Sequence, residues 1–281
     1  MLLFIGLPII SSFFQSLHIE PEQILMEVEK CDPFGCKTET KVDIEATTKL
    51  QEEQPLGRFN GLGTYGDRNH LAFDEIKEAW TNSSSITEFT DILLNLPFYK
   101  ALLFTLTFCF AVTPPVVVLG FIVALSVNTI TKSLKGPTIF GVILPMIVTP
   151  LIGSLVLFWM IDAKGILGSF IQFLFDDPNL SLKSSSQLTW ITLIIYGIWH
   201  NTPFAFVVFY AALQTVPQDP IEAAIIDGAS RYERVRHIVI PHLYPVATFI
   251  ILICLMDNFR VLEPIIGFAA EGVAQSLSWM I

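Results

Sequence analysis

Hydrophobic residues make up 52% of this 281-residue chain and charged residues only 15%, with a formal net charge of -10 and a mean hydropathy of +0.60. That balance excludes an ordinary soluble domain and describes an integral membrane protein. No basic patch is available to neutralise phosphates, so a nucleic-acid partner is excluded as well.

In chain order, the apolar run Met1–Leu17 carries Pro8 but lacks a basic n-region and a small-residue cleavage pattern before His18. It reads as part of a first spanning helix, residues 1–17, and not as a signal peptide. The apolar-leaning stretch that reaches Ile281 suggests a chain truncated at both ends. Residues 18–97 hold most of the acidic side chains and are expected to form an external loop or small cap. Within them, Gly57, Gly61, Gly63 and Gly66 predict loop, Phe73–Trp80 a short amphipathic helix, and Ser83-Ser84-Ser85 a linker. Cys31 and Cys36 bracket Asp32-Pro33-Phe34-Gly35, a turn-forming stretch in an oxidising compartment. A disulfide and a pair of free thiols are both open there. A metal site is not expected, because no His or further Cys stands near them. Cys109 and Cys254 read as packing residues.

The segments Ala101–Val127, Thr138–Ile161, Trp190–Leu213 and roughly His242–Ile266 are each long enough, as helices, to cross about 30 Å of hydrocarbon. Period-2 alternation is absent from them, which favours helices over a barrel. The expected fold is therefore an all-α integral membrane bundle of about five to six transmembrane helices, with an external loop or cap after the first span and the remaining spans in 98–281. Pro114-Pro115, Pro145, Pro150 and Pro203 fall inside spans, where each removes a backbone hydrogen bond and favours a kink. Lys132 and Lys135 follow the second span, and Arg231, Arg234 and Arg236 follow the fourth, so both loops are placed in the cytoplasm.

Polar side chains inside spans mark pathways or structural pairs, because charge at that depth must be paired or face water. Trp199, His200 and Asn201 precede Pro203 in the fourth span, and Asp257, Asn258, Phe259, Arg260 and Glu263 lie in the outer half of the fifth. Helical spacing predicts an ion-pair ladder of Arg260 with Asp257 and Glu263. Trp199, Asn201, Asn258 and Phe259 are candidate pathway residues for an uncharged hydroxylated solute, which needs amide donors and acceptors and an aromatic face.

Residues 217–241 form a polar island between the fourth and fifth spans. Asp219 is expected to cap a helix with Pro220 in its first turn and Glu222 reaching back, and Gly228 to end it. Ser230 and Glu233 then supply a second capping box, giving two short helices with a sharp turn. Glu222-Ala223-Ala224, Ile226-Asp227-Gly228-Ala229-Ser230 and Ile240-Pro241 resemble the cytoplasmic "EAA" loop of ABC-importer permeases, in the form associated with the maltose-type carbohydrate family. Phe98-Tyr99-Lys100-Ala101-Leu102, Leu106-Thr107, Gly120, Ala124-Leu125, Leu144-Pro145, Thr202-Pro203-Phe204 and Leu213-Gln214-Thr215-Val216-Pro217 extend the likeness across about residues 90 to 280. The chain departs from the family after Arg260, where Gly267-Phe268-Ala269-Ala270-Glu271-Gly272 replaces a Leu-Thr-Gly-Gly-Pro run.

The resemblance implies a type I importer permease architecture, in a multi-pass subunit of the bacterial cytoplasmic membrane, specifically the subunit with the longer external loop. It implies a second permease subunit, two copies of a cytoplasmic ATPase that hold the ATP and Mg, and an external solute-binding protein. It also implies that Glu222, Ala223, Ala224, Asp227, Gly228, Ala229, Ile240 and Pro241 couple the ATPase to the spans. This chain itself would carry no cofactor and catalyse no reaction, in keeping with the lack of a phosphate-binding loop motif. An ion-coupled secondary transporter using Asp257, Arg260 and Glu263 is the competing reading, but it predicts inverted repeats that are not evident. A membrane hydrolase finds no motif to support it.

Overall fold

The computed structural model describes residues 2–19, 25–32, 35–53, 57–68, 70–83, 85–177, 181–183 and 185–280. Two compact units divide the chain, Met1–Tyr99 and Lys100–Ile281.

In the first unit α1 (Leu2–Ser16), β1 (His18–Ile19), β2 (Leu25–Asp32), β3 (Gly35–Val42), α2 (Ile44–Glu53), β4 (Arg58–Phe59), α3 (Gly63–Gly66), α4 (Phe73–Asn82) and α5 (Ile86–Asn95) follow in order. The short strands β1 and β4 pair antiparallel, as do β2 and β3. The β2–β3 hairpin, with α2 after it, gives regular structure to part of the stretch expected as an external loop or small cap. Its register sets Cys31 opposite Cys36. Facing Cα atoms of an antiparallel pair lie about 4.5–5.5 Å apart, a span that a disulfide can bridge; the side chains of both cysteines fall outside the described residues. Helix α4 forms where its amphipathic period predicts, and its Trp80 ring meets Phe89 of α5 edge-on at 5.3 Å. Gly57 and Gly61 take positive φ, in keeping with the loop reading of that stretch.

The second unit is helical. It is built from α6 (Pro97–Thr129), α7 (Lys132–Ile147), α8 (Pro150–Met160), α9 (Ile166–Phe175), α10 (Ser186–Leu213), α11 (Gln218–Ile226), α12 (Arg231–Arg234), α13 (Ile240–Phe259), α14 (Glu263–Gly267) and α15 (Leu277–Met280). Among the described residues, α6, α10 and the continuous helix Arg231–Phe259 are long and apolar enough to cross a membrane, and α7 with α8 makes a fourth candidate if the pair counts as one span. That is fewer than the five to six expected, since α1 reaches only 15 residues.

The span expected over Thr138–Ile161 is not one rod. α7 and α8 meet at a 95° bend. The cause is local: Pro150 disfavours the helical conformation in the residue before it, and Val148 and Thr149 are extended, with ψ of 127 and 143. Helix α8 then restarts with Pro150 in its first turn, where a missing N–H costs nothing. Ser185 caps α10 by accepting from the N–H of Leu188 at 3.3 Å. The last span expected, to Ile266, instead ends at Phe259.

Lipid tails are as apolar as leucine, so these helices associate through close packing and not through a hydrophobic driving force. Gly120 of α6 lies so close to α10 that a Cβ there would stand 2.5 Å from the Ala205 Cβ. Ala124, one turn on, is buried on the same helix. Farther along, Gly197 of α10 makes room for the Phe108 ring. Phe104, Phe206, Leu193 and Ile250 fill the core around these contacts.

The basic loops give an orientation test. An alkaline phosphatase fused near Asn60 is expected to be active outside, and one near Ser133, in the first turn of α7, inactive. The reverse pattern would invert the orientation.

Candidate functional site

Two places carry candidate chemistry, the island after α10 and a polar cavity between helices.

The island enters α11 at Pro217 and not at Asp219. Gln218 and Asp219 are already helical, so Pro220 sits inside the first turn, where backbone N–H groups lack intrahelical partners and its own is not missed. No side chain caps this end, and Glu222 makes no capping box. Asp219 still places a negative charge by the positive end of the helix. The far end is as the sequence predicts. Gly228 has φ of +80, its N–H donates to the Ile225 carbonyl at 3.0 Å, and the Ala229 N–H donates to the Ala224 carbonyl at 2.9 Å. Those bonds are the paired closure of a Schellman turn, which needs a residue in the left-handed region. Two residues later the Ser230–Glu233 box forms: the Ser230 N–H donates to Glu233 Oε2 at 2.7 Å, and the Glu233 N–H to Ser230 Oγ at 3.3 Å. Hydrogen bonding from Ser230, side chain first and backbone second, holds the Glu233 carboxyl below its ordinary range. The box is therefore at full strength above the ordinary carboxylate pKa and is lost as pH falls through the lowered value.

The second helix is not short. α12 passes through a π-helical turn, Val235–Val239, directly into α13. There the Ile240 N–H donates to the Val235 carbonyl, five residues back. Pro241 follows with no N–H to give, so the wider turn falls where the ordinary ladder is interrupted. Glu222, Ala223, Asp227, Gly228, Ile240 and Pro241 are exposed, while Ala224 and Ala229 are half-buried. Ile226 is 85% and Tyr232 67% exposed, apolar surface on an otherwise polar loop.

The cavity, of about 300 Å³, is lined by Asn201, Asn258, His200, Asp257, Arg260 and Glu263 among others. Asn258 is only 3% exposed. Asn201 Nδ2 donates to Asn258 Oδ1 at 3.1 Å, and Asn258 Nδ2 donates to Thr113 Oγ1 at 3.2 Å, so one chain of bonds ties α10, α13 and α6. The expected ladder is absent: among the described residues Arg260 makes no ion pair with Asp257 or Glu263. Helical spacing stops applying there, because α13 ends at Phe259 and Arg260 takes φ of -95 and ψ of 18. All three charges instead face the cavity. Trp199 and Phe259 do not line it; Trp199 lines two apolar grooves on other sides of α10, and Phe259 is exposed.

Sequence reasoning gave little weight to His200. Its ring stacks on Tyr196 with centroids 5.7 Å apart, and its Nδ1 is buried without a hydrogen-bond partner. Its place directly before Asn201 was the available signal. Together these groups offer amide and imidazole donors and acceptors to a polar solute. No group of metal-ligating side chains occurs among the described residues.

The family model described as binding-protein-dependent transport system inner membrane component matches residues 93–261. The trehalose/maltose transport system permease protein MalF of Thermococcus litoralis is 35% identical over 101 residues, covering 33% of this chain and 34% of that protein. The sn-glycerol-3-phosphate transport system permease protein UgpA of Escherichia coli (strain UTI89 / UPEC) is 29% identical over 131 residues, 46% of this chain and 44% of the relative. The alignments thus span between a third and a half of these relatives' length. Among solved structures, a bacterial alginate ABC transporter in complex with alginate pentasaccharide-bound periplasmic protein is similar in fold, with TM-score 0.55 at 18% identity over 74% of this chain and 71% of that one. A second alginate ABC transporter structure gives 0.52 at 17%, over 85% and 81%.

Proposed function

This chain belongs to the family of binding-protein-dependent transport system inner membrane components, and from that premise we propose that it is one permease subunit of an ATP-driven importer for a sugar, polyol or related glycoside. The island 217–241 receives a cytoplasmic ATPase, which carries the ATP and Mg and is present in two copies. A second permease subunit completes the pathway, and an external binding protein delivers the solute toward the cap at residues 18–97. The observation that carries this reading is the loop geometry. A helix closed by a Schellman turn at Gly228 abuts a capping box at Ser230, and the second helix runs without a break into a span. A push on α11 is thereby transmitted to α13 through fixed backbone geometry.

Reconstitution of the complex in vesicles tests it. Uptake is expected with ATP present and no ion gradient. Uptake that follows an ion gradient and ignores ATP would favour coupling through Asp257, Arg260 and Glu263, which line the cavity, and would overturn the importer reading.

In this reading Asn201 and Asn258 meet the solute. Interhelical hydrogen bonds in membranes average about 0.6 kcal/mol, so losing the two that Asn258 makes leaves the bundle assembled. Asn258→Ala and Asn201→Ala are expected to change solute selectivity or apparent affinity by roughly tenfold, the scale of one solute hydrogen bond worth about 1.4 kcal/mol. Basal ATPase activity of the complex should persist. Unchanged uptake of every substrate by both variants would leave these amides as helix ties only.

A further inference from the structure

The β2–β3 hairpin pairs from Leu25 with Val42 to Asp32 with Gly35, although little in its sequence holds it together. Successive positions of a strand alternate between two faces. In this register each face has its apolar positions away from the turn and charged or hydroxyl residues nearer to it, so neither face is an apolar strip. Near the turn Lys30 stands opposite Lys37, and like charges directly opposite one another destabilise a pair.

The connection does not help. It consists of Pro33 and Phe34, between the paired positions Asp32 and Gly35. Two-residue connections that match the twist of the strands need positive φ at their first position, and a proline ring locks φ at about -65. A two-stranded hairpin is marginal in water even with a good turn. The turn end is thus the weak end, and it is where Cys31 faces Cys36.

The register also fixes the kind of pair these two form. Asp32 and Gly35 flank a two-residue connection and therefore hold the hydrogen-bonded position that closes it. Positions alternate along an antiparallel ladder, so Cys31 and Cys36 take the next, non-hydrogen-bonded one, where facing Cα atoms are about 4.5 Å apart and side chains stand closer. That separation lies within the roughly 4.4–6.8 Å over which disulfides form.

We propose that Cys31 and Cys36 are joined by a disulfide and that this bond keeps the turn end of the hairpin closed. The assignment rests on residues 18–97 lying outside the cytoplasmic membrane, where such bonds form and persist. The thiolate of one cysteine attacks the disulfide of an external donor, a protein or small-molecule disulfide, and the thiolate of the other then displaces the donor from the mixed disulfide. One S–S bond forms here as one breaks in the donor, which takes up both electrons and both protons and leaves as two thiols.

Trypsin cuts after Lys30 and Lys37 and so frees Cys31–Lys37 as one peptide holding both sulfurs. From membranes treated with a maleimide before any reductant is added, this peptide of the full chain is expected unmodified and lighter than its dithiol form by two hydrogen atoms. After reduction it should take up two maleimides. In sealed right-side-out membranes, cleavage by external trypsin at Lys30, Lys37 and Lys41 should rise roughly tenfold or more on reduction. The double variant Cys31→Ser, Cys36→Ser should show the same rise without reductant, while cleavage after the exposed Arg68 stays constant in every case. The bridge is overturned if the peptide takes up two maleimides without reductant, or if either cysteine is linked to another chain. The alkaline phosphatase fusion near Asn60 then tells two failures apart: an active fusion confines the failure to the bridge, and an inactive one puts the outward placement at fault. Equal cleavage with and without the bond would overturn its role in holding the hairpin.

Discussion

Gly228→Pro is expected to abolish solute uptake while leaving membrane insertion and subunit abundance intact. Proline fixes φ near -65, whereas this residue sits at +80 and donates its N–H to Ile225. The substitution therefore opens the Schellman turn and strips the last carbonyls of α11 of their donors. A strain of about 3 kcal/mol redistributes the loop by more than a hundredfold, so ATPase co-purification should fall with uptake. Nothing lies within 4 Å of a Cβ built at this position, so the effect is conformational and not steric. Gly228→Ala, costing about 1–2 kcal/mol in the left-handed region, should then give a partial loss. Glu222→Lys leaves the turn untouched and reverses a charge on the exposed face of α11; it should also abolish uptake if that face meets the ATPase. Normal uptake by Gly228→Pro, at normal abundance, would remove the basis for the coupling role.

Gly120→Val should lower the amount of assembled complex about tenfold, by a different route. Its Cβ would stand 2.5 Å from the Ala205 Cβ and 3.0 Å from the Ala205 carbonyl carbon and the Phe206 nitrogen. Backbone atoms cannot rotate away, so α6 and α10 must separate, and forcing extra methylenes into a packed site costs about 1–3 kcal/mol. In a membrane the lost close contact has no hydrophobic gain to replace it. The smaller change Gly120→Ala should be milder, and Ala205→Gly should relieve it, because the nearest clash is with the Ala205 methyl. Quantitative blotting of the detergent-extracted complex reads both effects. Wild-type abundance of Gly120→Val would mean that the two helices can shift apart without loss.

The long spans and the island were legible for physical reasons that act locally. Hydropathy alone locates α6 and α10, and the Gly228 turn and the Ser230–Glu233 box are written in residue types with only one good conformational use. What could not be read depends on elements that meet only in three dimensions. Asn201 and Asn258 stand 57 residues apart, and their pairing requires α10 to lie against α13. The ladder around Arg260 failed because its spacing argument assumed a helix that ends one residue earlier. The bend after Ile147 had a signal in Pro150, but a proline inside an apolar run does not by itself separate a kink from a stop: α6 runs through Pro114 and Pro115 without a break. The β2–β3 hairpin is polar throughout much of its length, so no buried face announced it. In the island the difference is smaller, a helix start displaced from Asp219 to Pro217.

The 95° bend between α7 and α8 bears on the order in which the chain takes shape. Beside it, at the first turn of α8, the Ser154 hydroxyl donates to the Pro150 carbonyl at 2.7 Å and the Tyr196 hydroxyl donates to the same carbonyl at 2.8 Å. Tyr196 belongs to α10 and leaves the ribosome some fifty residues later. During synthesis, then, the insertion machinery meets the stretch from Lys132 to Met160 before Tyr196, which ties the first turn of α8 to α10, exists. The break before Pro150 is written locally, but the Tyr196 bond that ties α8 to α10 can form only once both helices have been made.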